Sequence, residues 1–116
     1  MNDQLKALEQ KIIAFRDRRD WGQFHSPKNL SQALGIEVAE LQEIFLWQTS
    51  DASRMPSASD RRQAEAELAD IFIYLTYLCR ELRVDLFQAV ERKLVENEAK
   101  YPVDKARGNN RKYDRL

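Results

Sequence analysis

The chain has 116 residues, 43% of them hydrophobic, enough for one domain with a core, and its three Gly and three Pro are too few for a loop-rich all-β protein. Lys and Arg total 19, as do Asp and Glu, so the net charge is zero, which argues against a non-specific nucleic-acid binder built on a basic excess. A single cysteine and a single histidine exclude an intrachain disulfide, a cysteine-based zinc site and a multi-histidine metal site.

Hydrophobic periodicity predicts four helices. The first spans about residues 3–19, with Leu5, Leu8, Ile12 and Phe15 on one stripe. Its start, Met1-Asn2-Asp3-Gln4, is polar and no signal sequence follows. No apolar run reaches the roughly 18 residues of a membrane span. The expectation is a soluble cytoplasmic protein. A connector over residues 20–26 carries Trp21, Phe24 and His25. Ser26-Pro27 is an N-cap followed by proline at the first helical position, and the second helix runs to about Trp47. Residues 48–59 read as a loop, and the third helix covers about 60–82, capped by Ser59 or Asp60. Asp85-Leu86-Phe87-Gln88 resembles a capping box and opens the fourth helix. That helix ends near Lys100, where Tyr101-Pro102 stops it. The expected organisation is a helical domain over 1–102 and a basic tail over 103–116, with Lys105, Arg107, Arg111, Lys112 and Arg115.

Two matched acidic pairs stand inside the apolar helices: Glu37-x-x-Glu40 and Glu67-x-x-Asp70. Residues three apart share one side of a helix, so each pair projects two negative charges together. Burying such charges unpaired is costly, so a cation is expected between them. Oxygen-only ligands point to a hard divalent ion, Mg²⁺ with Mn²⁺ as substitute. On a wheel of about 100° per residue, Leu30, Leu34, Val38, Leu41, Ile44 and Phe45 cover one arc. Glu37 falls inside it, Glu40 at its edge, and Glu43 well outside, as a solvated residue would. A di-iron carboxylate bundle needs Glu-x-x-His motifs, which both pairs lack.

The third helix is apolar nearly all round: from Leu68 to Cys79 only Asp70 is charged. Such a helix is buried on more than one side, and a chain of this length has little material to cover two sides. A homo-oligomer, dimer or tetramer, is therefore expected. Leu34, Leu41, Phe45, Leu75, Leu78 and Leu82 are the expected core beyond that interface.

The doubled acidic motif on a helical bundle resembles the all-α nucleoside triphosphate pyrophosphohydrolases, the MazG-like superfamily. It is most similar to their dCTP pyrophosphatase branch. The matching stretches are Arg19-Asp20-Trp21, Phe24-His25-x-Pro27-x-Asn29-Leu30, Glu37-Val38-Ala39-Glu40-Leu41 and Trp47. They continue with Glu67-Leu68-Ala69-Asp70-Ile71-Phe72-Ile73-Tyr74-Leu75, Val84-Asp85-Leu86, Lys93, Asn97, Tyr101-Pro102, Arg107-Gly108 and Lys112-Tyr113. They fall in the family's order over most of the chain. One departure is that the branch is richer in Arg just before its Tyr-Pro, where this chain has Glu98-Ala99-Lys100.

The resemblance implies a four-helix bundle of the MazG-like type that cleaves a nucleoside triphosphate between its α and β phosphates with Mg²⁺. It implies Glu37, Glu40, Glu67 and Asp70 as the catalytic metal ligands. Trp21, His25, Trp47 and Tyr74 match positions around base and sugar; Lys93, Asn97, Arg107 and Lys112 match phosphate contacts. Core packing is the competing role for Trp47 and Tyr74, helix capping for His25, and a solvated face for Lys93 and Asn97. The chemistry expected is attack of water on a phosphorus whose charge is neutralised by metal, with cationic side chains stabilising the leaving pyrophosphate. Glu40, where water reaches the edge of the arc, is the preferred general base. No nucleophile–base arrangement suggests a covalent intermediate. Two alternatives remain: a member acting on another NTP or on phosphoribosyl-ATP, and a non-catalytic helical oligomer whose acidic pairs bind a cation or a partner.

Overall fold

In a computed structural model that describes residues 3–116, helix α1 covers Asp3–Asp17. The next three residues reverse the chain, and Asp20 takes a left-handed backbone (φ 53°, ψ 36°), a conformation its short polar side chain tolerates. Gln23 fixes that turn by donating from Nε2 to both the Asp20 carbonyl and its carboxylate, each at 3.1 Å. A 3₁₀ turn follows over Trp21–Phe24. Helix α2, Pro27–Phe45, starts where expected: the Ser26 hydroxyl accepts from the Asn29 N–H at 3.1 Å and proline fills the first helical position. Asn29 Nδ2 donates back to the Phe24 carbonyl at 3.0 Å, tying the turn to the helix.

The expected loop after α2 holds a short helix, α3 (Ser50–Ser53), capped by Thr49. Helix α4 covers Ala58–Leu82, two residues longer at its start than the sequence suggested. The reason is the cap: Ser57, not Ser59 or Asp60, accepts the Asp60 N–H at 3.1 Å. Asp60 instead accepts from Gln48 Nε2 at 3.0 Å, holding the loop at both ends. Arg83 closes α4 in a left-handed conformation (φ 54°). No strand occurs among the described residues.

The chain divides into two compact units, residues 1–83 and 84–116. In the first, α2 packs along α4, and α1 lies against α4. The core is small: Ile12 and Ile13 of α1, Leu30 of α2 and Tyr77 of α4 are buried, with Phe72, Ile73, Tyr74 and Leu78 packed against them. Leu34, Leu41, Phe45, Leu75 and Leu78 are half-buried, and Leu82 is 53% exposed rather than core. Helix pairing covers one side of each helix, so apolar residues on the other sides, such as Ile36, Leu46 and Leu68, stay exposed.

In the second unit, α5 (Leu86–Lys100) begins at Asp85, whose carboxylate accepts the Gln88 N–H at 3.2 Å, and ends where the Tyr101 N–H donates to the Asn97 carbonyl at 2.7 Å. The basic segment beyond is locally structured. It forms α6 (Val103–Ala106) and a 3₁₀ turn at Tyr113–Arg115, and the Tyr113 ring meets the edge of Tyr101 at 6.1 Å.

Candidate metal centre and its surroundings

Packing of α2 along α4 brings the two acidic pairs to one place. One carboxylate oxygen from each of Glu37, Glu67 and Asp70 lies within 4.8 Å of the others. Glu37 and Glu67 are half-buried and Asp70 is exposed, so the cluster opens to solvent on the Asp70 side. Glu37 Oε2 and Glu67 Oε2 are shut off from water and have no hydrogen-bond partner. A carboxylate oxygen left in that state costs desolvation free energy until a proton or a cation meets it.

The Glu37 carboxyl responds to this crowding. Its pKa is pushed up to about 7, first by a hydrogen bond with Glu67 that requires a shared proton, then by burial, then by the charges of Glu40, Glu67 and Asp70. Glu40, one turn beyond Glu37 on α2, is exposed, and its carboxylate is not one of the three that converge. It is nevertheless near enough to act on Glu37. Glu43 is exposed, as expected.

Such a donor set fits a hard divalent cation. It is all oxygen, it carries excess negative charge, and it presents two buried oxygens that no donor among the described residues meets. Cysteine and histidine take no part in it.

From the cluster, one stripe of α4 continues through Tyr74 and Tyr77 to Glu81. At about 100° per residue, Glu67, Asp70, Tyr74, Tyr77 and Glu81 fall within roughly a quarter of the wheel. Tyr74 is half-buried and meets the Tyr77 ring edge-on at 6.2 Å. His25 lies over Tyr77, ring centres 4.7 Å apart and tilted by 39°. His25 does not cap α2, a task Ser26 performs. Its Nδ1 is buried without a partner. Burial first, then the charge of Arg16, holds its pKa below the usual imidazole value, with Glu81 opposing.

Trp21 packs edge-on to Phe15 at 5.8 Å and is 44% exposed. Trp47 follows the end of α2 and is 93% exposed, so it contributes nothing to this chain's core. In the second unit, Lys93 pairs with Glu96 at 3.5 Å on the exposed side of α5, while Asn97 is half-buried and its carbonyl closes the helix. Arg107 is exposed at the end of α6, and Lys112 Nζ lies 5.9 Å from the Tyr113 ring centre.

Sequence reasoning passed over Arg16, Tyr77 and Glu81. The signal was present for Arg16, which continues the buried side of α1 three and four residues beyond Ile13 and Ile12. For Tyr77 and Glu81 it was their place on the stripe of the acidic pair, which an aromatic-rich helix obscured.

Comparisons with known proteins show the family. The model of the MazG-like family matches residues 33–116. A dCTP pyrophosphatase 1 from Bos taurus is 45% identical over 114 residues, covering 97% of this chain and 68% of the relative. The dCTP pyrophosphatase 1 of Homo sapiens is 44% identical over 114 residues, with 97% of this chain and 67% of the relative covered. The crystal structure of a pyrophosphatase from Archaeoglobus fulgidus superposes with a TM-score of 0.82 at 40% identity, over 88% of this chain and 95% of that one. With a family model over most of its length, relatives at this identity and an all-helical fold in common with a solved pyrophosphatase, the chain belongs to the MazG-like family.

Proposed function

We propose that this nucleoside triphosphate pyrophosphohydrolase takes dCTP, or a modified dCTP, and gives the monophosphate and pyrophosphate in a Mg²⁺-dependent reaction that clears unwanted nucleotides from the cytoplasmic pool. The observation that supports it most directly is the convergence of Glu37, Glu67 and Asp70 with two orphaned oxygens, in a chain 45% identical to a dCTP pyrophosphatase. Glu37, Glu67 and Asp70, with Glu40 beside them, would hold the metal. When bound, Mg²⁺ neutralises triphosphate charge and orients its oxygens.

The side chains do the rest. Glu40, exposed at the rim, takes a proton from the attacking water as the new P–O bond forms at the α phosphorus. The bond from that phosphorus to the bridging oxygen breaks, and the electron pair leaves with pyrophosphate. Lys93, Asn97, Arg107 and Lys112, with the 103–116 segment that carries the last two, stabilise the leaving charge. Trp21, His25, Trp47 and Tyr74 hold base and sugar. Mn²⁺ replaces Mg²⁺ in the same donor set. The exposed apolar residues on α2 and α4 are covered by further copies of the chain in a dimer or tetramer.

The test is pyrophosphate release from a panel of dNTPs, NTPs and phosphoribosyl-ATP, with Mg²⁺, Mn²⁺ or a chelator. The expected result is highest kcat/KM for dCTP or a modified dCTP, abolished by the chelator. A different preferred nucleotide would reassign the substrate. No pyrophosphate from any compound would leave a non-catalytic oligomer whose acidic cluster binds a cation or partner.

A further inference from the structure

Among the described residues, Arg16 is the one charged side chain that is buried, with 8% of its surface exposed. A buried guanidinium is tolerated only when its donors are matched. Here Nη1 donates to Glu81 Oε1 at 3.0 Å, while Nε and Nη2 both reach Asp17 Oδ1 at 3.1 Å. The ion pair to Glu81 joins the end of α1 to the end of α4. The guanidinium also underlies the Trp21–Phe24 turn: a Cβ placed on Gly22 would lie 3.7 Å from Nε and 3.8 Å from Cζ, in ordinary contact. Its Cζ lies 5.9 Å from the Tyr77 ring centre. Arg16 therefore lies beside both the turn that delivers His25 and the ring on which His25 rests.

We propose that Arg16 is a positioning residue for the nucleobase end of the substrate, anchoring the turn that carries His25 and the Tyr77 ring beneath it as one unit. The inference rests on the pyrophosphohydrolase reading. From Asp70 to Tyr77 along α4 is about 10 Å at 1.5 Å per residue, so the His25–Tyr77 pair stands off from the acidic cluster on the same stripe. Phosphates held at the cluster leave the base to reach along it.

The charges around His25 then set its protonation. Arg16 and Glu81 act on the imidazole directly; Asp17 balances Arg16, while Tyr74 and Arg19 act on Tyr77. Protonated imidazole would bring a second cation beside Arg16 and bury an N–H at Nδ1 with no acceptor. Arg16 thus keeps His25 neutral, with its single proton on Nε2.

The experiment uses His25 as the sole histidine of the chain, so its NMR titration has one signal. Wild type is compared with Arg16→Met, Arg16→Lys and the double variant Arg16→Met/Glu81→Met. The double variant leaves no unpaired Glu81, so it folds even if the single one does not. For each, kcat and KM are measured for dCTP at one pH. In wild type, His25 titrates below the ordinary imidazole value. In Arg16→Met the midpoint moves up. KM for dCTP rises about tenfold, the scale of one lost base contact, with kcat nearly unchanged. Arg16→Lys restores the midpoint in part, because it returns the charge without the fork.

Folded variants whose His25 titration and KM for dCTP both match wild type would overturn the proposal. A wild type that releases no pyrophosphate would defeat the pyrophosphohydrolase reading instead. The titration of the variants would still decide whether Arg16 controls His25.

Discussion

Glu37 of α2 and Glu67 of α4 face the same space, and each keeps one oxygen shut off from water with no donor to meet it. Two carboxylates can share such a position only through a proton or a cation. That choice makes the metal-free protein sensitive to pH.

The first prediction is a pH effect on stability. The Glu37 carboxyl moves from 4.5 to about 7 on folding, so the native state binds the extra proton between those values. This contribution to stability is fully present below pH 4.5 and is lost as pH rises through about 7. His25, whose pKa is lowered on folding, contributes the opposite slope near its own midpoint, so the comparison must isolate Glu37. In chelator, the Tm of Glu37→Gln should exceed that of wild type increasingly from pH 5 to 8. Saturating Mg²⁺ should raise the wild-type Tm at pH 8, and by much less in Glu37→Gln. Parallel Tm curves for the two proteins in chelator would contradict it.

Each of Glu37→Ala, Glu40→Ala, Glu67→Ala and Asp70→Ala is expected to cut kcat/KM by about 100-fold or more, equivalent to about 2.7 kcal/mol of transition-state stabilisation. The metal-free variants should melt no lower than wild type, because each removes a charge from a repelling group. Glu43→Ala, on the solvated side of α2, serves as the control and should keep wild-type activity. Unfolding of all four variants, judged by circular dichroism, would make the carboxylates structural and defeat the catalytic reading.

Trp47 is 93% exposed, so Trp47→Ala should leave the Tm of the isolated chain unchanged. Stacking on a base contributes about 1–3 kcal/mol, which predicts a KM for the nucleotide roughly tenfold higher with a smaller change in kcat. Hydrolysis of inorganic triphosphate, which has no base, should not respond. An unaltered KM for every nucleotide would leave base selectivity to Trp21 and His25.

Sedimentation at micromolar concentration is expected to give a dimer or tetramer. The expectation comes from Ile36, Val38, Leu46 and Leu68, which the α2–α4 pairing leaves exposed. Leu68→Asp should shift the distribution toward smaller species. A compact, stable wild-type monomer would count against the assembly.

The short helices Ser50–Ser53 and Val103–Ala106 were not legible in the chain, whereas the four long helices, their order, the Ser26 and Asp85 caps and the two acidic pairs were. These depend on neighbours three or four residues away, and local periodicity carries that information. The Ser57 cap was missed because Ser57 and Ser59 offer the same hydroxyl, and the choice follows from the contact that draws Asp60 toward Gln48. The family was legible too, since its motifs are short and ordered. What only the tertiary structure decided was which carboxylates meet. Glu37, Glu67 and Asp70 converge and Glu40 stands aside, because the rotation of α2 against α4 sets which residues of each pair turn inward. The Arg16 clamp lay equally out of reach: its partners Glu81 and Tyr77 are more than sixty residues away in sequence, and a lone arginine in an apolar stripe acquires meaning only when an acid from another helix arrives to meet it.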